Sequence, residues 1–221
     1  MEWEPLWLSF QVAAVATLIA TVVGIAIATA LTAYRFPGRD VLDALITLPL
    51  VLPPTVLGYY LLVSLGRKSF LGGLWEDMTG SSITFTVTGL YVASTIGAMP
   101  LVVRAARTAL EGVDETLPRA ARTLGANKLR AFFTVTLPLA GPGIFAGMML
   151  AFAKALGDYG AVLMVAGDIP GETQTASMAI MDLWFGRKGS EAAGMVAVLT
   201  AIALVTLYGV NKIVRRGRDG R

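Results

Sequence analysis

Apolar positions run along this chain in long blocks. A bilayer core of about 30 Å takes about 20 apolar residues of helix, and five blocks meet that length. They run approximately from Leu8 to Ala33, Leu42 to Leu65, Ile83 to Val103, Leu139 to Ala166 and Ala192 to Val210. The pattern changes between the third and fourth blocks. From Leu117 the apolar positions are Leu117, Ala120, Ala121 and Leu124, an i, i+3, i+4, i+7 stripe that predicts a short amphipathic helix with Arg119 and Arg122 off its face. Gly125 follows where a helix C-cap takes positive φ. A second stripe, Leu129, Phe132, Phe133 and Leu137, then predicts another short helix, with Lys128 and Arg130 off it and Pro138 at the start of the fourth block, where the first helical turn tolerates proline. The predicted architecture is all-α: a polytopic membrane chain of about five transmembrane helices, read as one domain over residues 1–221, with an elbow of two short helices over residues 111–137.

Composition agrees with lipid as the solvent: 55% of the residues are hydrophobic and 15% charged, with a mean hydropathy of +0.68. There is no Cys and no His, which excludes disulfides and thiolate chemistry and removes the main ligands of zinc and haem sites and the imidazole base. No cofactor and no metal are expected. A membrane-embedded enzyme needs clustered carboxylates or a His/Cys constellation at one depth, and Asp158 is the only acid well inside a block. No catalytic residue is assigned.

The pI of about 9.3 raises the question of nucleic acid, and the placement of the charges answers it. Thirteen of the 18 basic residues fall on one side of the membrane if the N-terminus is outside: Arg35 and Arg39, then the cluster from Arg104 to Arg130, then Lys212 to Arg221. Only Arg67, Lys68, Arg187 and Lys188 fall on the other, and Lys154 stays inside a block. The positive-inside rule places the N-terminus out, the C-terminus in the cytoplasm, and the elbow in the cytoplasm with it. The opening "MEWEP" is acidic and the first apolar run is too long for a signal-peptide core, so the first block is expected as a retained span. "YRFPGRD" reads as a minimal turn, and the outer loop from Gly167 has enough apolar residues, Met178 to Phe185, to dip into the interface or form a re-entrant helix.

Small-residue ladders, Ala20, Gly24 and Ala28 in the first block and Gly143, Gly147, Ala151 and Ala155 in the fourth, are close-packing faces. The second block carries Pro49, Pro53 and Pro54, so its backbone must break or kink. Freed N–H groups and a half-helix start, with the hydroxyls of Thr47, Thr55 and Tyr59 nearby, suit a passing anion, and the same kink also serves packing alone. Lys154 and Asp158 stand four apart in the fourth block. Charges there are costly and read as functional, here either as a gate element on the translocation path or as a structural pair.

The elbow can be a docking element, with Ala120, Ala121 and Gly125 allowing close backbone approach, or a basic loop that fixes topology on the headgroups. Its spacing resembles the coupling motif of ABC importer permeases, which is Glu-Ala-Ala, three residues, Gly, nine residues, Ile-x-Leu-Pro. Here it reads Arg119-Ala120-Ala121, Gly125, Val135, Leu137, Pro138 with every interval kept. Arg119 stands in place of Glu and Val135 in place of Ile, so any contact the family makes through that carboxylate is absent or inverted. "LPLVLPPTVLGYYLLVSLGRKSFLG", "PLVVRAARTALEGVD" and "AFAKALGDYGAVLMVAGDIPGETQTASMAI" are similar to the molybdate branch of these permeases, with sulfate or thiosulfate and tungstate permeases as near relatives.

The resemblance implies an inner-membrane subunit of a bacterial importer that works by alternating access. It implies a second permease copy, two cytoplasmic ATP-binding subunits that receive Arg119, Ala120, Ala121, Gly125, Leu137 and Pro138, and a periplasmic oxyanion-binding protein. Pro53, Pro54, Thr55, Lys154 and Asp158 become candidates for the path or gate, and Gly171, Thr173 and Thr175 for an outer vestibule or a binding-protein contact. The chain has no G-x-x-x-x-G-K-[ST] motif of its own. A secondary transporter or membrane scaffold without an ATPase partner is the alternative from another class. The coupling spacing and the lack of an inverted repeat count against it.

Overall fold

The computed structural model of the protein describes residues 3–33 and 37–219. Arg35 and Arg221, both counted above as cytoplasmic, and Met1 and Glu2 of the opening stretch lie outside the described residues, as do Tyr34 and Phe36 at the start of the "YRFPGRD" turn.

Eleven helices follow in order among the described residues: α1 (Glu4–Ala33), α2 (Arg39–Val51), α3 (Pro54–Leu65), α4 (Phe70–Thr79), α5 (Val87–Glu111), α6 (Thr116–Thr123), α7 (Lys128–Ala131), α8 (Leu137–Leu156), α9 (Gly160–Ala166), α10 (Ala176–Phe185) and α11 (Gly189–Asp219). A π-helical turn, Phe132–Thr136, joins α7 to α8. Among the described residues, four stretches are long and apolar enough to cross a membrane: Glu4–Ala33, Val87–Glu111, Lys128–Leu156 and Gly189–Gly209. α2 and α3, bent by 116° at their junction, make a fifth if taken as one span.

The centre is built from α1, α5 and α8. Ala13, Ala16 and Ala20 of α1, Ala98 and Val102 of α5, and Ala151, Ala155 and Leu156 of α8 form one buried cluster. Small residues are required because the backbones nearly touch. A Cβ on Gly147 would stand 2.4 Å from Cβ of Ala105, one on Gly143 2.7 Å from that of Ala109, and one on Gly24 3.0 Å from Cγ1 of Val102. In lipid, where apolar surface has no water to escape, such close van der Waals packing is what holds helices together. The two ladders therefore serve the bundle of this chain itself.

Three expectations about span limits need correction. The third span begins at Val87 and continues to Glu111, past the apolar block, because Ala106 and Leu110 keep the helix packed after its outer face turns polar. The fourth span starts earlier, at Lys128, since α7, the π-turn and α8 form one continuous rod, so the second arm of the elbow is the end of the span itself. It also ends earlier, because the block from Leu139 to Ala166 breaks at Gly157, Asp158 and Tyr159, and α9 leaves as a separate half-helix.

The predicted break in the second block is present. Leu52 and Pro53 are extended (ψ 141 and 136), and Pro54 opens α3. The outer loop does form a helix, α10, with Met178 buried beneath it and Trp184 and Phe185 exposed.

Candidate functional site

The elbow begins at Asp114, whose Oδ1 accepts a hydrogen bond of 2.9 Å from the N–H of Thr116 and holds this exposed carboxyl below the ordinary range. α6 buries none of its residues. It ends in a Schellman turn: the N–H of Gly125 donates to the carbonyl of Arg122 (3.1 Å), the N–H of Ala126 to that of Ala121 (3.1 Å), and Gly125 has φ +92. A Cβ on Gly125 would meet nothing within 4 Å, so glycine is needed for its backbone conformation alone. Leu124, at the tip, is 88% exposed. Asn127 then caps the second arm through its Oδ1, which accepts from the N–H of Arg130 (2.8 Å).

Pro138 cannot donate within the helix, and the π-turn just before it absorbs the missing bond without ending the rod. A cleft with Arg119, Arg122, Asn127 and Lys128 in its walls opens at the bend. Arg119 is paired with Glu115, one turn earlier on α6, so the charge that replaces the usual Glu is answered inside the elbow.

The base of the elbow is tied down by charges that hydropathy passes over. Arg107 on α5 binds Glu111 through Nε (2.8 Å) and Asp43 of α2 through Nη1 (3.2 Å), and Arg39 reaches Glu111 at 3.9 Å. Only the packing of α2 on α5 brings these charges together.

The candidate path residues gather around the two helix breaks. Gly160, at the start of α9, lies against Pro54 at the start of α3: a Cβ there would be 2.9 Å from Cβ of Pro54 and 3.6 Å from the nitrogen of Thr55. Gly58 locks the same pair, its would-be Cβ falling 2.7 Å from Cβ of Met164 and 3.0 Å from Cα of Ala161. Leu57, Leu61, Ala161 and Val165 bury the interface between them, with Ala93 of α5 behind. Pro53, Pro54, Thr55 and Tyr59 remain exposed on the other face of α3.

Lys154 Nζ is 3.1 Å from Asp158 Oδ2. The pair does not run along one helix as the spacing suggested. Lys154 is in the last turn of α8, and Asp158 lies in the break and is buried (4%), against 37% for the lysine. Gly97 of α5 makes room, since a Cβ there would come within 3.1 Å of the same carboxylate oxygen. The coupling set and the path set are thus separate places, connected by α8.

The outer loop corrects another expectation. Thr173 and Thr175 do not line a vestibule: both are buried, Thr173 donating to the carbonyl of Gly167 (3.2 Å) and accepting from the N–H of Ile169 (3.2 Å). Ser9 of α1 accepts from the N–H of Ala176 (2.8 Å), anchoring the loop to the first span. Gly171 stays at the surface with φ +80.

Beside this loop, burial holds the Asp168 carboxyl above the ordinary range. The Gln174 amide opposes the shift, and the nearby charge of Asp182, itself bound by Gln174 at 2.9 Å, adds to it. With its folded value raised, this group binds its proton more tightly folded than unfolded. It therefore weakens the fold as pH rises from about 4 through that value. Asp168→Asn is expected to flatten the fall of Tm over this range, and a Tm–pH series on the purified variant checks it.

The family of binding-protein-dependent transport system inner membrane components matches residues 13–217. The chain is 43% identical over 219 residues to the molybdenum transport system permease protein ModB of Escherichia coli (strain K12), covering 99% of this chain and 96% of that protein. It is 33% identical to the sulfate transport system permease protein CysT of Salmonella typhimurium, covering 100% of this chain and 83% of that one. The inward-facing MetNI methionine ABC transporter shares the fold, with a TM-score of 0.69 at 18% identity and coverage of 96% and 94%. With a family match over nearly its whole length and the all-helical architecture to go with it, this chain belongs to the binding-protein-dependent transport system inner membrane components.

Proposed function

We propose that the chain is the permease subunit of an ATP-driven importer in the bacterial inner membrane and that its cargo is a tetrahedral oxyanion, molybdate ahead of tungstate or sulfate. The observation that carries this reading is the 43% identity to a molybdenum permease over almost the full length, against 33% for a sulfate permease. The chain carries no phosphate-binding loop, so ATP is hydrolysed by a separate subunit, in two copies beneath a pair of permeases. A periplasmic oxyanion-binding protein delivers the cargo to the outer loops.

Residues 111–137 form the coupling segment. Docked in the ATP-binding subunit, α6 receives the closing motion, and because the arm beyond Gly125 is continuous with α8, that motion passes into the membrane without a flexible joint. At the far end of α8, Lys154 and Asp158 face the break where α9 begins, and α9 carries α3 with it. Pro53, Pro54 and Thr55 then change their exposure to the path between two permease copies as these rock. Small displacements at the elbow become an opening because packed interfaces switch between discrete arrangements.

The test is uptake by proteoliposomes holding the permease, its ATP-binding subunit and the binding protein. ATP-dependent molybdate uptake, displaced by tungstate but hardly by sulfate, is the expected result. Equal sulfate uptake would transfer the chain to sulfate transport, and no ATP-dependent uptake of any of the three would contradict the reading.

A further inference from the structure

At the end of the bundle that the basic residues avoid, eight carboxylates outnumber four cations along the sequence, so a dianion approaching that face meets net repulsion. Two of the four cations, Arg67 and Lys68, stand together in the wall of a cavity of about 1140 Å³ between the end of α3 and the segment that leads into α5. No carboxylate lines this cavity. Arg67 has only a loose partner, Glu76 at 3.6 Å, and its own side chain is 68% exposed; Lys68 has no carboxylate within 4 Å among the described residues.

Hydroxyls complete the polar side. Ser82 and Thr84, both nearly buried, share one hydrogen bond of 3.1 Å between their oxygens, which leaves one O–H of the two to donate elsewhere. Leu62, Val63 and Phe85 supply apolar walls beside the two exposed cations.

Phe85 gives an independent sign that the place is built. It has φ +59, a strained conformation that is unusual for a bulky residue. The residue is nevertheless 56% exposed. The surroundings enforce that backbone: the N–H of Phe85 donates to the carbonyl of Val165 (2.9 Å), and its ring presses on Gly167, where a Cβ would come within 3.1 Å. Val165 belongs to the buried seam of α3 and α9, and Leu62 and Val63 are the end of α3. The cavity is thus connected to both half-helices that carry the candidate path.

We infer that this outer cavity is an entry site for the transported tetrahedral oxyanion, with Arg67, Lys68 and the Ser82–Thr84 hydroxyl pair as its ligands. The inference rests on the oxyanion reading above and adds a place on the permease where the anion is held after leaving its binding protein. The same chemistry would hold the phosphate of a lipid headgroup, and the experiment separates the two.

The purified complex of the full chain with its ATP-binding subunit, without the binding protein, is dialysed against radiolabelled molybdate, and lipid phosphorus retained by each sample is assayed in parallel. Saturable molybdate binding is expected. R67Q/K68Q should weaken it roughly ten-fold or more, the charge-keeping R67K/K68R should retain it, and R187Q/K188Q, which removes the other two outer cations, should leave it unchanged. Equal binding by R67Q/K68Q, or no saturable binding, would overturn the inference. So would lipid phosphorus that R67Q/K68Q loses while neither protein binds molybdate, since that is a headgroup site. Binding is read without ATP: a wild-type complex that imports molybdate but shows no binding in the cavity sinks this inference alone, whereas loss of uptake by the complete system sinks the transport reading.

Discussion

Gly125→Pro is expected to lower ATP-driven uptake more than ten-fold while the chain still inserts and still co-purifies as a membrane protein. Proline fixes φ near −65° where this residue has +92, and it removes the N–H that donates to Arg122. The turn that ends α6 is lost, and this eight-residue helix has nothing buried to compensate. α6 should therefore leave its angle to the rod that begins at Lys128, and ATP hydrolysis should continue without moving cargo. Gly125→Ala is the graded control. Nothing stands within 4 Å of an added Cβ, so only the left-handed conformation is penalised, by roughly 1–2 kcal/mol, and an intermediate loss follows. Uptake and ATP hydrolysis measured on the same proteoliposomes check this. Normal uptake by Gly125→Pro would return the elbow to the role of a topological loop.

The second large effect is expected at the intramembrane pair. Lys154→Met leaves the Asp158 carboxylate, 4% exposed beside Gly97, without its cation. Removing one partner of a fully buried pair costs about 3–5 kcal/mol, and less here because the lysine is 37% exposed, whereas replacing both with apolar groups is often neutral. A drop in Tm on the order of 10 °C in Lys154→Met, with most of it recovered in Lys154→Met/Asp158→Leu, marks the pair as structural. A double variant that recovers its Tm but transports poorly marks Lys154 as part of the path as well. Equal Tm in all three proteins would contradict the structural role, and normal uptake by Lys154→Met would contradict the path role.

How much of this was legible in the sequence differs between the two ends of α8. At the end that carries the elbow the signals are local: an i, i+3, i+4, i+7 stripe, a glycine at the C-cap, a proline in a first turn. Each is a short-range backbone rule, and the Schellman turn at Gly125 follows from them. Pro53 and Pro54 announced the bend in the second span in the same way.

At the other end the controlling facts are long-range. The block from Leu139 to Ala166 is apolar apart from Lys154 and Asp158, and their i, i+4 spacing fits one continuous helix, so the pattern gives no reason to stop at Gly157. The break is stabilised by α9 finding α3, through Gly58 against Met164 and Gly160 against Pro54. Thr173 and Thr175 read as surface hydroxyls in a polar loop, yet they are buried because Ser9, on the first span, draws the end of that loop inward. Asp43 and Arg107 are far apart in the sequence and meet only because α2 packs on α5. Even the Arg119 substitution had a local answer, Glu115 at i−4, that the spacing already allowed.

The central claim is that the elbow is seated in an ATP-binding subunit. The chain contains no Cys, so a single Leu124→Cys, placed where the side chain is 88% exposed, reports its surroundings without background. Labelled with a short photoactivatable maleimide and illuminated in the assembled complex, it should cross-link to the ATP-binding subunit, with the yield changing between ATP-trapped and nucleotide-free states. Cross-links to lipid alone, with the ATP-binding subunit present and unmodified, would contradict the account.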